Sequence, residues 1–455
     1  AIEQRPEGQL EHLLAEYTYD AAGLLAAAKD PLGHAIRYAY RGGVLAREVH
    51  KSGLTFHFEW DWDHPEGWCV RTWGDAGDSN ASVMDLAPGT TPPKAIYDRR
   101  LTYDKHRRRA MVHDGRGGIT YYEGNDRELV DKVIDPTGVV TQYVWDENAR
   151  KLAEEDGTGA KWEWTYDDRG NRIVEKDPLG NTTRWTYDKL DRITQIRDPK
   201  GGTWAVEYHP SSQPSTIRRP DGTATTFQRD DLGRLLTADD PMGRRVRLTW
   251  TPHHEPATLT DPEGRVTTYQ YDFLGRLLHS QDPLGRHLRA VRDLAGNPIE
   301  VHRPDGEHLR LAYDSEGNVV EQTDSLNRKV RMRYAGLGRL VEHIDPMGYR
   351  VRLRHDTEED LIAVENQTGD LYTFELDKAG RVKTERTFSG TKRQYIYDKA
   401  GRCSRVWSSG FRTTTFERDP LGRIKKQVSK TGMLGDKPQE DFFLFDELGA
   451  LTAAG

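Results

Sequence analysis

A single period runs through this chain and decides what it can fold into. The stretch 261–285, DPEGRVTTYQYDFLGRLLHSQDPLG, holds a run ending in Tyr269, Tyr271 and Asp272, then a turn closed by Gly275. A second run from Arg276 to Gln281 follows, and a second turn at Asp282-Pro283-Leu284-Gly285. With the first-turn aspartate as phase zero, the same position returns every 21 residues from Asp20 to Asp419, twenty positions without a slip. Asp itself stands at thirteen of the twenty. Gly stands three residues later at ten, where 43 Gly in 455 residues would place about two by chance. Stacked units bury one continuous core, so an unbroken repeat overrides the two or three domains that length alone suggests.

The units read as β-hairpins. Turn signals come every 10 or 11 residues with runs of six to eight between them, the spacing of an all-β sheet and not of alternating strands and helices. In the second turn, DPxG, Pro presets φ, Asp accepts from backbone amides two residues on, and Gly tolerates the exit conformation. The first turn, YDxxG, uses Asp and Gly in the same way. The turn residues singled out as structural are Asp167, Gly170, Asp177, Pro178, Gly180, Asp272, Gly275, Asp282, Pro283 and Gly285. Side chains alternate along a strand, so Thr267, Tyr269 and Tyr271 share one face and Val266, Thr268 and Gln270 the other. The aromatic pair recurs at Tyr17/Tyr19, Trp164/Tyr166, Trp185/Tyr187 and Tyr395/Tyr397, which predicts aromatic ladders. Twenty units of two strands, about 4.8 Å apart, make a sheet of roughly 190 Å, too long to stay flat. It is expected to wind around a space.

The chain divides into repeats at 1–52, an irregular stretch at 53–98, regular repeats at 99–430 and a degraded repeat at 431–455. The irregular stretch carries four of the eleven Trp and reads as distorted repeats or a small insertion. The chain opens at Ala1 without Met and is expected to be a piece of something longer, or a processed product. Hydrophobic residues are 35% and mean hydropathy is -0.82, which would hint at disorder were the apolar residues not placed periodically. A net charge of -7 argues against a nucleic-acid binder. Cys69 and Cys403 stand in unrelated contexts, so neither a disulfide scaffold nor a cysteine metal site is expected, and a reducing compartment fits. No apolar run long enough to span a membrane and no signal peptide is seen, so no membrane partner is expected for this segment.

Each conspicuous group has a bland reading beside the sharp one. The recurrent Asp residues could ligate calcium, but that ion wants six to eight clustered oxygens and each turn offers one carboxylate; turn capping is preferred. His253-His254 and the run Lys105-His106-Arg107-Arg108-Arg109 fall where turns belong. Carboxylates such as Glu358, Glu359 and Asp360 abound, yet nothing singles out one glycosidic pair. No catalytic residue, cofactor or metal site is assigned, and the chain is expected not to be an enzyme. Trp60, Trp62, Trp68 and Trp73 form the candidate ligand patch of an alternative reading, a carbohydrate- or surface-binding module using exposed Trp and Tyr ladders. A hydrolase with His64 and Glu66 in the irregular stretch is the remaining alternative.

YDxxGRL followed by DPxG at a 21-residue step, as in YDFLGRLLHSQDPLG (271–285) and YDDRGNRIVEKDPLG (166–180), resembles the tyrosine–aspartate repeats of the Rhs family. GWCVRTWGDAG (67–77) resembles a stretch of the Rhs proteins that Gram-negative bacteria deploy through type VI secretion. The resemblance covers essentially the whole chain. It implies a long antiparallel sheet spiralled into a hollow shell that encloses a C-terminal toxin domain of the same polypeptide and catalyses nothing itself. It further implies secretion-spike components reached through an N-terminal region, a chaperone, and passage from the bacterial cytoplasm into a target cell. Related proteins include the C components of insecticidal toxin complexes. Members of the family usually end in a plug with an aspartyl self-cleavage site; neither is visible here, and 431–455 is read as cut short before plug and toxin.

Overall fold

The computed structural model describes residues 2–4, 12–62, 67–75, 95–432 and 437–455. Forty-one strands and no helix are found among them, in one antiparallel sheet. By internal contacts the chain forms two compact units. One comprises Ala1–Thr120, Gln270–Ser280 and Gly285–Lys392; the other comprises Tyr121–Tyr269, Gln281–Leu284 and Arg393–Gly455. Of the irregular stretch, Thr55–Asp61, Trp68–Asp75 and the start of Ala95–Asp104 are strands of the sheet. Residues 63–66 and 76–94, His64 and Glu66 among them, lie outside the described residues.

In the regular repeats, strands of six and five residues alternate, as in Lys161–Tyr166, Arg172–Lys176, Thr182–Tyr187 and Ile193–Arg197. The two turns of a repeat share one backbone form. In the YD turn, Asp167 N donates to Asn171 O and Gly170 N to Asp167 O; in the DP turn, Asp177 N donates to Asn181 O and Gly180 N to Asp177 O. Gly170 and Gly180 have φ of 92° and 87°, the left-handed exit that a side chain disfavours. The hairpins differ one pair further on. Lys176 faces Thr182 and Glu175 faces Thr183 without a break across the DP turn. Across the YD turn, Tyr166 faces Arg172 but Thr165 faces Val174, so Ile173 is an extra, bulged residue.

That bulge is what lets an odd period work. Side chains alternate with period two, so equivalent residues 21 apart would fall on opposite faces unless each repeat dropped one residue from the alternation. The same slip recurs in the hairpins of Tyr187, Tyr208, Arg229, Trp250, Tyr313 and Leu376. The two faces therefore keep their character from strand to strand. In the first unit Ala290, Val301, Leu309, Leu311, Val330 and Met332 occupy one face through the pairs Ala290–Val301, Val301–Leu309, Leu311–Gln322 and Gln322–Val330. Arg289, Glu300, His302, Arg310, Glu321 and Arg331 occupy the other.

Because each hairpin is closed locally, a turn lesson can be read at one position. At Gly264, φ is +83° and an added Cβ would meet nothing within 4 Å. Gly264→Ala is expected to cost about 1 kcal/mol of left-handed strain, with faster amide exchange confined to the hairpins flanking Asp261–Gly264. Exchange accelerated evenly along the chain would contradict this.

Candidate functional site

The sequence-selected turn residues build two edges of the sheet. Asp Oδ1 accepts two amides in each turn: from Arg169 and Asn171 on Asp167, from Leu179 and Asn181 on Asp177, and from Leu274 and Arg276 on Asp272. Asp282 Oδ1 accepts from Leu284 N at 2.9 Å. Gly275 and Gly285 have φ of 74° and 77°, and Pro178 and Pro283 hold the second turn position. The other Asp oxygen commonly binds the residue four on, as Asp272 binds Arg276 Nε at 2.5 Å and Asp188 binds Arg192 Nε at 2.7 Å. These carboxylates are thus saturated by their own turn, and among the described residues no group of three or more His, Cys, Asp and Glu is gathered to hold a metal. His254 sits at the left-handed turn position with Nδ1 3.0 Å from Arg234, and Arg107 pairs with Asp104 at 3.7 Å within its own turn.

The residue just before the turn Asp carries a role the alternation reading missed. Its side chain reaches back fifteen residues to a backbone carbonyl of the preceding repeat. Tyr166 donates to Lys151 O, Tyr187 to Arg172 O, Tyr208 to Ile193 O and Tyr313 to Pro298 O, at 2.6–2.9 Å. Trp145, Trp250, Arg229 and Arg418 do the same. The acceptor lies beyond the end of the ladder to the next strand: pairing between Lys151–Glu155 and Lys161–Tyr166 stops at Ala153 opposite Glu163. The signal was present, since this position is Tyr, Trp or Arg at fifteen of twenty repeats and never Phe, and those side chains share a donor at the tip.

Within each unit, turns far apart in sequence meet. In the first, Ser52 N donates to Glu316, Gly115 N to Glu358, and Arg116 to Asp356 and Asp360, at separations of 264, 243, 240 and 244 residues. In the second, Lys200 pairs with Asp446 at 2.6 Å and Arg402 donates to Thr158, at separations of 246 and 244. Every such contact joins a DP-type turn to a YD-type turn. Most fall near eleven and a half periods of 21, and the half is forced because the two turn types are half a repeat apart.

The carboxylates at 356–360 anchor one such seam. Glu358 and Glu359 are 6% and 5% exposed. Glu358 Oε1 accepts from Gly115 N at 2.8 Å; Oε2 lies 2.5 Å from Arg99, within ion-pair distance but not aligned for a hydrogen bond. Burial pushes the Glu358 carboxyl up, against the opposing pull of the Gly115 amide and Arg99. Glu359 takes the turn's left-handed position at φ 55° and accepts from Leu337 N and Tyr97 Oη. Tyr97 N in turn donates to Thr357 O, and Leu54, Ile96, Ala335 and Val341 pack alongside as a small core. Nearby His355 is held below its usual pKa by burial and then by Arg339.

The four Trp of the candidate patch are not presented alike. Trp60 Nε1 donates to Leu45 O, Trp73 stacks on His57 at 4.9 Å beneath the Arg71 guanidinium, and Trp68 tilts against Tyr103 with Lys105 over its ring. Trp62 is 47% exposed and lies over Gly42 and Gly67.

Three stretches, 166–203, 230–266 and 250–287, match the family model described as RHS Repeat. No curated protein matches the chain. Among solved structures it is similar to TcdB2-TccC3 without its hypervariable C-terminal region, at 12% identity and a TM-score of 0.64, over 97% of this chain and 32% of that one. It is also similar to a Photorhabdus luminescens Tc holotoxin pore bearing a TccC3 mutation, at 13% identity and a TM-score of 0.57, with the same coverage. The chain thus spans about a third of the length of these structures, and at such identity the likeness is one of fold.

Two outcomes follow from this geometry. For Asp272, burial alone would raise the pKa, but the Arg276 amide, its guanidinium and the Leu274 amide outweigh it and hold the carboxyl low; at Asp188 the Arg192 guanidinium leads. A depressed folded pKa gives stability that is full above the unfolded value of about 3.9 and is lost as pH falls through the folded one. The urea midpoint is therefore expected to fall steeply below about pH 4; a midpoint unchanged at pH 3 would contradict turn capping as a stabilising term. Separately, Tyr208→Phe keeps the ring under Arg192 and removes only the donor to Ile193 O. It is expected to cost about 1 kcal/mol in thermal unfolding.

Proposed function

Because the chain is an RHS-repeat protein folded as one long antiparallel sheet, we propose that it is wall rather than machine: a non-catalytic shell segment that encloses a C-terminal toxin domain of the same polypeptide and delivers it. The observation that carries this reading is the seam within each unit, where DP-type turns of early repeats bind YD-type turns of repeats eleven and a half periods later. A sheet knit to itself along both turn edges can block diffusion sterically without holding cargo tightly. Strands inside the sheet are paired on both sides, which limits free edge that could template aggregation. The naming of a hypervariable C-terminal region in the TcdB2-TccC3 structure supports a variable cargo at that end. The finer reading is an effector of type VI secretion in interbacterial competition, carried through a spike with the help of a chaperone; the stretch 67–77 supports it.

The test is made on the full-length parent, purified through a tag on this segment. A polypeptide from beyond residue 455 is expected to copurify and to resist added protease until the repeats are denatured. Its free digestion in the native sample would sink containment and leave the surface-binding reading to be pursued at Trp62.

A further inference from the structure

On the polar face of the sheet several cations are answered with a carboxylate, while others, such as Arg37, Arg247, Arg289 and Arg310, make no ion pair with a described residue. Lys161 and Lys176 pair with Glu163, Arg245 with Asp239, Lys329 and Arg331 with Glu321, and Arg352 with Glu342 and Glu365. On the four strands Thr182–Tyr187, Ile193–Arg197, Thr203–Tyr208 and Pro214–Arg218 of the second unit, three arginines gather on this face and the one carboxylate, Glu207, pairs with none of them. Arg184 stands directly opposite Arg197. Arg197 faces Thr203 on its other side, and Arg218 faces Ala205 one pair further along that strand. Cross-strand partners share a face, so the three guanidinium groups project from one surface, with Gln195, Thr203, Ala205 and Thr216 as its floor. All three are exposed and none makes an ion pair with any described residue. Gln195 and Thr216 occupy the positions that hold Glu300, Glu321 and Glu342 in later repeats. The remaining charged group of this face, Glu207, stands beyond Ala205 toward the other end of its strand and is likewise unpaired.

Like charges directly opposite on neighbouring strands destabilise a sheet. Here neither Arg184 nor Arg197 makes an ion pair that would offset that cost. We propose that Arg184, Arg197 and Arg218 form a docking surface for an acidic polypeptide, whose Asp and Glu carboxylates supply the missing half of the ladder. Guanidinium groups suit this because each can bind a carboxylate through two parallel hydrogen bonds. A phosphate-binding site would draw on free backbone amides, but on these strands the backbone is committed to the ladder. Three arginines match the charge of a short acidic segment, whereas a nucleic acid runs its phosphates well beyond them over a chain of net charge -7. This surface does not depend on the containment reading.

The experiment uses the 455-residue chain and a fluorescein-labelled hexaglutamate peptide, followed by anisotropy at low salt. Saturable binding is expected, weakened about tenfold or more when Arg184→Gln, Arg197→Gln and Arg218→Gln are combined. A control combining Arg244→Gln, Arg265→Gln and Arg328→Gln, each exposed and paired with its own turn Asp, should leave binding within about twofold. The combined variant should melt no lower than the parent, since it relieves the Arg184–Arg197 opposition; a purely structural role would lower it. The proposal is overturned by absence of saturable binding, by equal loss in the control, by displacement of the peptide by inorganic phosphate at matching concentration, or by preference for a single-stranded oligonucleotide.

Discussion

An odd period imposed on an alternating chain is the constraint on which the rest of this structure depends. Twenty-one residues cannot return a side chain to the same face by alternation alone, and the slip between Thr165 and Tyr166, repeated hairpin after hairpin, is the physical answer. In many repeats a side chain from the next repeat satisfies a carbonyl beside the bulge, as where Tyr166, Tyr187 and Tyr208 point their hydroxyls backward. One inserted residue thus fixes the two-faced sheet, and a bond beside it ties many repeats to their neighbours.

The turns divide the work differently. Their Asp carboxylates spend themselves on their own backbone amides and on the arginine four residues on, so the bare turn is self-sufficient. What joins distant turns is added at particular positions: Arg116 reaching Asp356, Glu358 accepting from Gly115, Lys200 reaching Asp446. Glu358 is costly to bury, as its raised pKa shows, and the Gly115 amide and Arg99 offset that cost only where the seam is made.

Much of this was legible because Asp, Gly and Pro act within four residues. The all-β class, the strand positions and both turn types could be read from spacing, and the hairpins at Asp167–Gly170 and Asp177–Gly180 lie where that spacing puts them. The bulge was implied by the odd period but hidden from a reading of plain alternating strands. The seam was not legible, since no local pattern in the repeats encodes which turns meet across eleven and a half periods. For the same reason Glu358 and Glu359, ordinary in sequence, emerge as the most buried carboxylates of their turn, while the dense Trp60, Trp62, Trp68 and Trp73 are dispersed among separate partners by the strand register.

The seam also makes alike repeats inexchangeable. Arg116 finds Asp356 and Asp360 because a set number of repeats lies between them. Duplicating or losing one 21-residue module in that interval would leave every hairpin intact yet slide one edge past the other by a single tooth, setting Arg116 against the wrong turn. Repeat number between seamed turns is therefore locked like the thread of a screw, and such a chain can drift in sequence far more freely than it can change its count.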